Sequence, residues 1–382
     1  MRKICTGVFL AILSVLFIGV FICFPWKGRI EVYEQEGGGL RGLVLTVLNT
    51  ARESTTLLND NIIGHDSFVQ LFGAAQKALG VDLANGVYRL KNGAVTFILS
   101  ELKPFDEDQL ESIRSFSDRA SRKGMEKLYV VMPQKACSLD YPFTARGVTD
   151  YSDSIDAYRK GVFSQAGYEV LDLHDSIHAQ GLNHLDLYFL SDHHWKLTTG
   201  LWAAGEIAGA LGMDTSFYAP EQYTIRNYEK FFLGSAGKRV GTAFSPVDDV
   251  ELPIPAFDTQ YELEIPSKEI VRKGSFSETV VFEDEAVLDY FHSTPYRILL
   301  KGDHPILTIR NKALPDGKKV LMIKDSYSDC VAPYLAATCS ELVMIDPRYY
   351  EQSIVQLVED GAFDVLLIAQ STRAENAVFV WS

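Results

Sequence analysis

Residues 319–328 read Lys-Val-Leu-Met-Ile-Lys-Asp-Ser-Tyr-Ser, an apolar run that ends in a cluster of polar side chains. The apolar part has the length and composition of a strand that is buried on both faces of a sheet. Ser326 follows three residues after Ile323, where we expect a helix to begin. Ligands of open α/β sheets bind at this edge, beyond the carboxyl ends of the strands. The segment therefore predicts a fold class and a candidate nucleophile together.

Similar apolar runs occur on both sides of this segment. Apolar runs that resemble buried strands alternate with stretches of helical period, and this alternation predicts an α/β domain with a mainly parallel sheet. The strand-like runs are 127–133, 169–173, 341–346 and 364–369, and the helical stretches include 105–123, 151–166 and 197–212. Prolines and short runs of β type interrupt the pattern, so we expect a β-rich insertion at about 213–318 within a domain that spans 81–382.

Composition limits the class of protein. The chain has 382 residues, of which 47% are hydrophobic and 23% are charged, which suits a folded chain with a sizeable core. The formal net charge is −14 and the pI is about 5.1. Because no long run of Lys and Arg is present, we expect no nucleic-acid partner.

The N-terminus carries a membrane signal. Arg2 and Lys3 precede an uncharged apolar stretch over residues 4–25, which would span roughly 33 Å as a helix, the thickness of a hydrocarbon core. It contains no small-x-small cleavage site, which favours an uncleaved signal anchor over a removed signal peptide. We therefore predict a transmembrane anchor at 1–26 that contacts lipid through residues 4–25. A tether and helical segment follow at 27–80, and the α/β domain is expected outside the cytoplasm.

A second polar segment completes the candidate site. Residues 191–195 read Ser-Asp-His-His-Trp, which places Asp192 two residues before His194. Serine becomes a good nucleophile when an imidazole takes its proton, and the imidazole needs an acceptor that fixes its tautomer. Asp192, His194 and Ser326 could supply these three roles. The alternatives are that Asp325 or Ser326 only caps a helix, and that the histidines are ordinary surface residues of a loop.

Metal binding is the competing chemistry. Five of the eight histidines lie between residues 174 and 194, at positions 174, 178, 184, 193 and 194. No HExxH or CxxC pattern is present, and adjacent histidines rarely ligate one ion. The five cysteines, of which two lie in the apolar stretch, form no disulfide framework. We therefore predict no metal and no cofactor, with a divalent ion as the minor alternative.

Three blocks in order carry a family resemblance. Residues 190–195, 320–328 and 345–350 together resemble the DHHW family of bacterial membrane-anchored proteins. That family is similar to the SGNH-hydrolase-like domain of the AlgX and AlgJ alginate O-acetylation proteins. Residues 131–135 resemble the strand and Pro-x-Lys turn of the family, and residues 234–238 resemble its glycine-rich loop.

The resemblance implies an SGNH-hydrolase-like fold over roughly residues 80–382. It also implies Asp192 as the orienting acid, His194 as the base and Ser326 as the nucleophile, with His193 at a variable position. The implied activity is that of an O-acetyltransferase or acetylesterase on a cell-surface polysaccharide or other glycan, with a membrane protein as a possible acyl donor. Lys324 departs from the pattern, because AlgX and AlgJ have glycine before Asp-Ser.

Three further residues are candidates for contact with substrate or oxyanion: Lys324, Arg348 and Trp195. A salt bridge to Asp346 or Asp325 is the alternative role of Arg348, and packing is the favoured role of Trp195. A non-catalytic glycan-binding or envelope-assembly module of the same fold is the alternative function. Geometry separates the two: an enzyme needs Ser326 Oγ and His194 Nε2 within about 3–4 Å, with Asp192 behind the ring.

Overall fold

The computed structural model describes residues 65–137 and 149–381. The chain divides into two compact units, 1–75 and 76–382, and the account below concerns the second. The predicted anchor at 1–26 and the tether as far as residue 64 lie outside the described residues. Within the described ranges, no helix is both long enough and apolar enough to cross a membrane.

Helices and strands alternate along most of the second unit. The α-helices are α1 (His65–Ala78), α2 (Glu107–Arg122), α3 (Ser152–Gln165), α4 (Leu173–Ala179), α5 (Leu197–Ala210), α6 (Ser235–Phe244), α7 (Phe276–Thr279), α8 (Ala332–Leu335) and α9 (Ile354–Asp360). The strands are β1 (Leu83–Ala84), β2 (Val87–Arg89), β3 (Val95–Thr96), β4 (Glu126–Met132), β5 (Glu169–Asp172), β6 (Tyr223–Phe232), β7 (Asp248–Pro255), β8 (Tyr261–Ile265), β9 (Ile270–Gly274), β10 (Ile306–Asn311), β11 (Lys319–Lys324), β12 (Glu341–Ile345) and β13 (Val365–Ser371).

An eight-stranded sheet forms the centre, in the order β5-β4-β13-β11-β12-β10-β8-β9. The strands from β5 to β12 in this order run parallel. They are the strands that the apolar runs predict, and β11 lies between two parallel neighbours. The prediction of a mixed α/β fold with a mainly parallel sheet is therefore confirmed.

Part of the insertion belongs to the central sheet, which the sequence does not predict. β10 pairs antiparallel with β12 and with β8, and β8 pairs with β9, so three strands of the insertion extend the central sheet. β6 and β7 form a separate antiparallel pair. Tyr261, Leu263 and Ile265 of β8 are buried while the residues between them are partly exposed. This period of two lets one face of the added strands join the core.

Helices cover both faces of the parallel strands, which explains their uninterrupted apolar sequences. Val320 and Met322 of β11 belong to one apolar cluster, which also contains buried residues of α5. Leu321 and Ile323 belong to a second cluster with residues of α2 and α9. A Cβ on Gly200 of α5 would lie 2.4 Å from the Cys330 carbonyl oxygen. Glycine there allows α5 to approach the segment that follows Ser326.

Candidate active site

Two loops bring three polar side chains into a line at the carboxyl edge of the sheet. His194 Nε2 lies 2.8 Å from Ser326 Oγ, and His194 Nδ1 lies 2.5 Å from Asp192 Oδ1. The carboxylate behind the ring holds the proton on Nδ1 and leaves Nε2 to accept the proton of the serine. These distances meet the geometric criterion for a nucleophile, a base and an orienting acid.

Asp192 is fixed by its own loop and by the glycine-rich loop. Its Oδ1 accepts from the His194 backbone N–H at 2.9 Å, and its Oδ2 accepts from the Ser235 backbone N–H. A Cβ on Gly234 would lie only 2.2 Å from Asp192 Cβ, so the approach of the two loops requires glycine. Burial acts to raise the pKa of Asp192, but the charges and hydrogen bond of the neighbouring histidines hold that pKa well below its ordinary value.

Tyr296, which the sequence analysis missed, supports both the base and the nucleophile. Its ring stacks on His194 with centroids 4.5 Å apart, and its hydroxyl donates to the Ser326 carbonyl oxygen at 3.0 Å. Tyr296 lies in a short helical turn of the insertion. No sequence spacing links Tyr296 to His194 or Ser326, so only the folded structure shows that it belongs to the site.

The helix-cap alternative applies to Asp325. Its carboxylate accepts from the Tyr327 backbone N–H at 3.0 Å and from the backbone N–H and hydroxyl of Ser371 at 2.8 and 2.6 Å. Asp325 therefore ties the turn after β11 to the end of β13. Because Asp325 serves as the cap, the Ser326 hydroxyl can face His194.

Lys135, from the Pro-x-Lys turn, holds the loop before Asp192. Its ammonium group donates to the carbonyl oxygens of Val95 at 2.7 Å and Leu190 at 3.2 Å. The side chain is buried, and burial lowers the pKa of Lys135 to about 8. Its role in the structure is to join two loops behind the candidate site.

His193 lies beside the line of three residues, with its Nδ1 3.3 Å from Asp192 Oδ1 and its ring centroid 3.9 Å from that of His194. Its Nδ1 lies 2.8 Å from Ser235 Oγ. Burial, and then the neighbouring His194, lower the pKa of His193 well below its ordinary value, so the ring is neutral at physiological pH. Of the two adjacent histidines, His194 is the one whose ring nitrogen contacts Ser326 Oγ.

Lys324 does not face the nucleophile, which corrects the expectation that it could contact substrate. Its ammonium group lies 2.6 Å from Asp303, 2.7 Å from Asp329 and 3.1 Å from Asp346, and its side chain is 1% exposed. These residues and Arg348 form a buried ionic cluster beneath the turn. The ammonium group donates hydrogen bonds to Asp303 and Asp329 and forms an ion pair with Asp346.

Arg348 belongs to the same cluster and also reaches the site. Its guanidinium lies 2.5 Å from Asp346 and 2.9 Å from Asp303, so the predicted salt bridge to Asp346 is present. Trp195 is 1% exposed, and its indole N–H donates to the Tyr327 carbonyl oxygen at 2.9 Å. Packing, not contact with substrate, is therefore the role of Trp195 in this structure.

Two cavities meet at Ser326. The smaller, of about 180 Å³, is lined by Ser326 together with His193, Arg348, Gln370 and Arg373. The larger and more open one, of about 470 Å³, is lined by Ser326 and His194 and by residues of the insertion, among them Lys268, Tyr296, Arg297 and His304. The arrangement can place a small group on one side of the serine and a larger ligand on the other.

Arg373 is a second residue that the sequence analysis missed. It follows β13, and its Nη1 is buried without a hydrogen-bond partner among the described residues. Its guanidinium lies over the Phe97 ring at 4.9 Å. A positive group with an unused donor beside a candidate nucleophile suits a developing negative charge. Its place at the end of a strand was the available signal.

Two groups of side chains in the described ranges could hold a metal ion: Asp192, His193 and His194, and Cys137, Asp153 and His174. In the first group, both ring nitrogens of His194 already contact Asp192 or Ser326. Metal ligation there would compete with the arrangement that suits proton transfer.

Comparisons with known proteins support the fold. No family model matches the sequence, and no curated protein does either. PatB1 of Bacillus cereus, in a structure with a sulfonyl adduct, matches with a TM-score of 0.62 at 16% identity over 78% of this chain and 97% of that chain. A DHHW family protein from Eubacterium siraeum matches with a TM-score of 0.58 at 17% identity over 78% and 95%.

The O-acetyltransferase domain of Pseudomonas putida AlgJ is a more distant match, with a TM-score of 0.41 at 12% identity over 77% of this chain and 92% of that chain. Its similarity is too low to carry an argument about this chain. The predicted resemblance to a DHHW family protein is confirmed at the level of the fold, which PatB1 also shares.

Proposed function

We propose that this protein is a serine acyl-transfer enzyme of SGNH-like type, with Ser326 as nucleophile, His194 as base and Asp192 as orienting acid. The observation that carries the proposal is the continuous line from Asp192 Oδ1 through both nitrogens of His194 to Ser326 Oγ. A cavity on each side of Ser326 gives space for a donor and an acceptor.

The first half-reaction forms an ester on the protein. Ser326 Oγ attacks the carbonyl carbon of an acetyl donor while His194 Nε2 takes the hydroxyl proton. The tetrahedral intermediate then collapses, the bond to the donor breaks, and His194 returns the proton to the leaving oxygen. Arg373, and Arg348 at the same cavity, would favour the negative charge of the intermediate.

The second half-reaction consumes the ester. A glycan hydroxyl or water attacks the carbonyl carbon of the ester while His194 Nε2 takes its proton. The bond to Ser326 Oγ then breaks, and His194 returns the proton to that oxygen. A glycan hydroxyl as acceptor makes the protein a transferase, and water makes it an esterase. The larger cavity, with its lining from the insertion, is the proposed place of the acceptor. The anchor at 1–26 would hold the domain outside the cytoplasm, near cell-surface polysaccharide and a membrane acyl donor.

The test is acetate release from p-nitrophenyl acetate by the purified full-length protein in detergent. Ser326→Ala and His194→Ala are expected to lose at least about 1000-fold in rate. Ser216→Ala, a change at an exposed serine, is the matched control and is expected to keep the wild-type rate. Equal rates for Ser326→Ala and wild type would rule out Ser326 as the nucleophile.

A sulfonyl fluoride supplies a second readout. Such reagents sulfonylate activated serine hydroxyls, and the PatB1 structure contains a sulfonyl adduct. Mass spectrometry should locate the modification on the peptide that contains Ser326 and should find none in His194→Ala. A protein that binds glycan but shows neither modification nor turnover would instead be a non-catalytic binding module.

A further inference from the structure

A second cluster of chemically reactive side chains lies where the loop after β4 meets the starts of two helices. Cys137 is in the loop, Asp153 is in the first turn of α3, and His174 is in the first turn of α4. Cys137 Sγ lies 3.2 Å from Asp153 Oδ1 and 3.4 Å from His174 Nε2. One ligand atom from each residue falls within 4.8 Å of the other two.

These separations fit a single tetrahedral ion. Zinc binds sulfur at about 2.3 Å and nitrogen or oxygen at about 2.0 Å, so a sulfur ligand and a nitrogen or oxygen ligand of one tetrahedral ion lie about 3.5 Å apart. The two distances from Cys137 Sγ are close to this value. Small side-chain rotations would therefore be enough to admit an ion among the three groups.

The charge and access of the cluster also suit a divalent cation. A thiolate and a carboxylate together carry two negative charges, which one divalent ion neutralises, and neutral imidazole adds a third ligand. Cys137 is buried, whereas Asp153 and His174 are partly exposed. An ion can therefore enter from solution and still have its sulfur ligand protected.

We propose that Cys137, Asp153 and His174 form a zinc site, with water as the fourth ligand. Binding replaces the thiol proton with the metal and releases that proton to solvent. Asp153 and His174 are 16 and 37 residues from Cys137, so these three residues do not form a short metal-binding motif in the sequence. This separation explains why the sequence analysis favours no metal.

The site would brace the loop behind the candidate nucleophile. Gln134 lies three residues before Cys137, and its Oε1 is 2.9 Å from the Tyr327 hydroxyl. Tyr327 directly follows Ser326. The ion would act as a positioning group for this loop and would take no part in the acyl transfer itself.

The test measures metal directly and does not depend on acyl transfer. The purified full-length protein is stripped with a chelator, loaded with ZnCl₂, desalted, and analysed by elemental mass spectrometry. Wild type is expected to retain about one zinc per chain, and Cys137→Ser and His174→Ala less than about a tenth of that. His292→Ala, at an exposed histidine elsewhere, is the matched control and should retain the wild-type amount.

Cobalt loading guards against variants that fail to fold. Co²⁺ in the wild-type site should give a thiolate-to-cobalt charge-transfer band that zinc abolishes. Absence of this band and of retained zinc in the wild type would overturn the proposal. So would undiminished zinc in folded Cys137→Ser and His174→Ala, with circular dichroism as the check of folding.

Discussion

The proposed catalytic line (Asp192, His194 and Ser326) and the ionic cluster around Lys324 meet the end of β11 two residues apart, yet their charged groups differ in their surroundings. Ser326 and His194 border open cavities. Lys324 contacts three carboxyl groups and is buried. Burial alone does not separate them, because Asp192 is also nearly inaccessible, with 3% of its side chain exposed.

The two regions differ in whether their polar groups can still form a hydrogen bond with a ligand. Lys324 hydrogen-bonds two carboxyl groups, pairs with a third and is 1% exposed, so a substrate cannot reach it. Burial raises the pKa of Asp329 well above its ordinary value, and the nearby carboxylate of Asp303 acts in the same direction. The raised pKa favours the protonated form of Asp329, which would limit the negative charge around one lysine and one arginine. A charged residue beside a nucleophile is therefore structural when its partners already satisfy it.

The largest effect on activity within this comparison is expected at the orienting acid. Asp192→Asn should lower the rate of p-nitrophenyl acetate hydrolysis by roughly 10³–10⁴-fold, because the amide favours the wrong tautomer of His194. Asp186→Asn, at a nearby exposed acid, should keep the wild-type rate. A fall of only a few-fold in Asp192→Asn, with the thermal midpoint unchanged, would mean that Asp192 does not orient the base.

The largest effect on stability is expected in the ionic cluster. Lys324→Met should lower the free energy of unfolding by about 3–5 kcal/mol, since it leaves buried carboxyl groups without their cation. Urea denaturation measures the loss, and Lys273→Met, at an exposed lysine, should change it little. A stable Lys324→Met protein without acyl transfer would instead give Lys324 a direct role in the chemistry and remove the contrast between the two regions.

Gly234→Ala tests whether geometry alone can disable the catalytic line. The new Cβ would overlap Asp192 Cβ, so the carboxylate must move, and a displacement of this size can cost about 100-fold in rate. Gly161→Ala is the control, since nothing lies within 4 Å of its new Cβ and alanine favours a helix. Steady-state kinetics of both variants, with thermal midpoints, separate displacement of Asp192 from general destabilisation. A wild-type rate in Gly234→Ala would show that the two loops need not approach so closely.

The sequence predicts the parallel strands well, because strands buried on both faces are uninterrupted apolar runs. It predicts the antiparallel strands β8 to β10 less well, because short alternating strands between prolines carry no information about their partners. The candidate triad is accessible to sequence reasoning because strand ends collect functional residues. Tyr296 is not, since its relation to Ser326 exists only after the insertion is in place, and Arg373 is signalled only by its position after the end of β13.

The partners of Lys324 illustrate the same limit. Asp303 lies 21 residues before Lys324 and Asp346 lies 22 residues after it, and nothing in their local sequence pairs them with it. The departure from glycine at position 324 is visible in the sequence. Its consequence, a cation sealed beneath the turn, depends on three acids that only the fold assembles.

The smallest effect on stability is expected for Asp303, a partly exposed member of the ionic cluster. Burial acts to raise the pKa of Asp303, but Lys324 and Arg348 outweigh it and hold that pKa below its ordinary value. The stabilisation is therefore complete above the ordinary aspartate pKa near 4 and is lost as the pH falls through the lower folded value. Asp303→Asn should cost about 2 kcal/mol at pH 7, the value of a hydrogen bond to a charged group.

Urea denaturation of Asp303→Asn and wild type across pH 7 to 3 tests whether the stability that Asp303 contributes falls with falling pH. The difference between the two proteins should shrink as the pH falls below about 4, because Asp303 takes up a proton in the unfolded wild type while it is still charged in the folded state. Asp284→Asn, which removes the carboxylate from an exposed pair with Lys301, should have a smaller effect at every pH. If Asp303→Asn and Asp284→Asn instead change the free energy of unfolding by the same amount, the cluster is equivalent to a set of surface ion pairs. The proposed difference between the cluster and the line of Asp192, His194 and Ser326 would then be wrong.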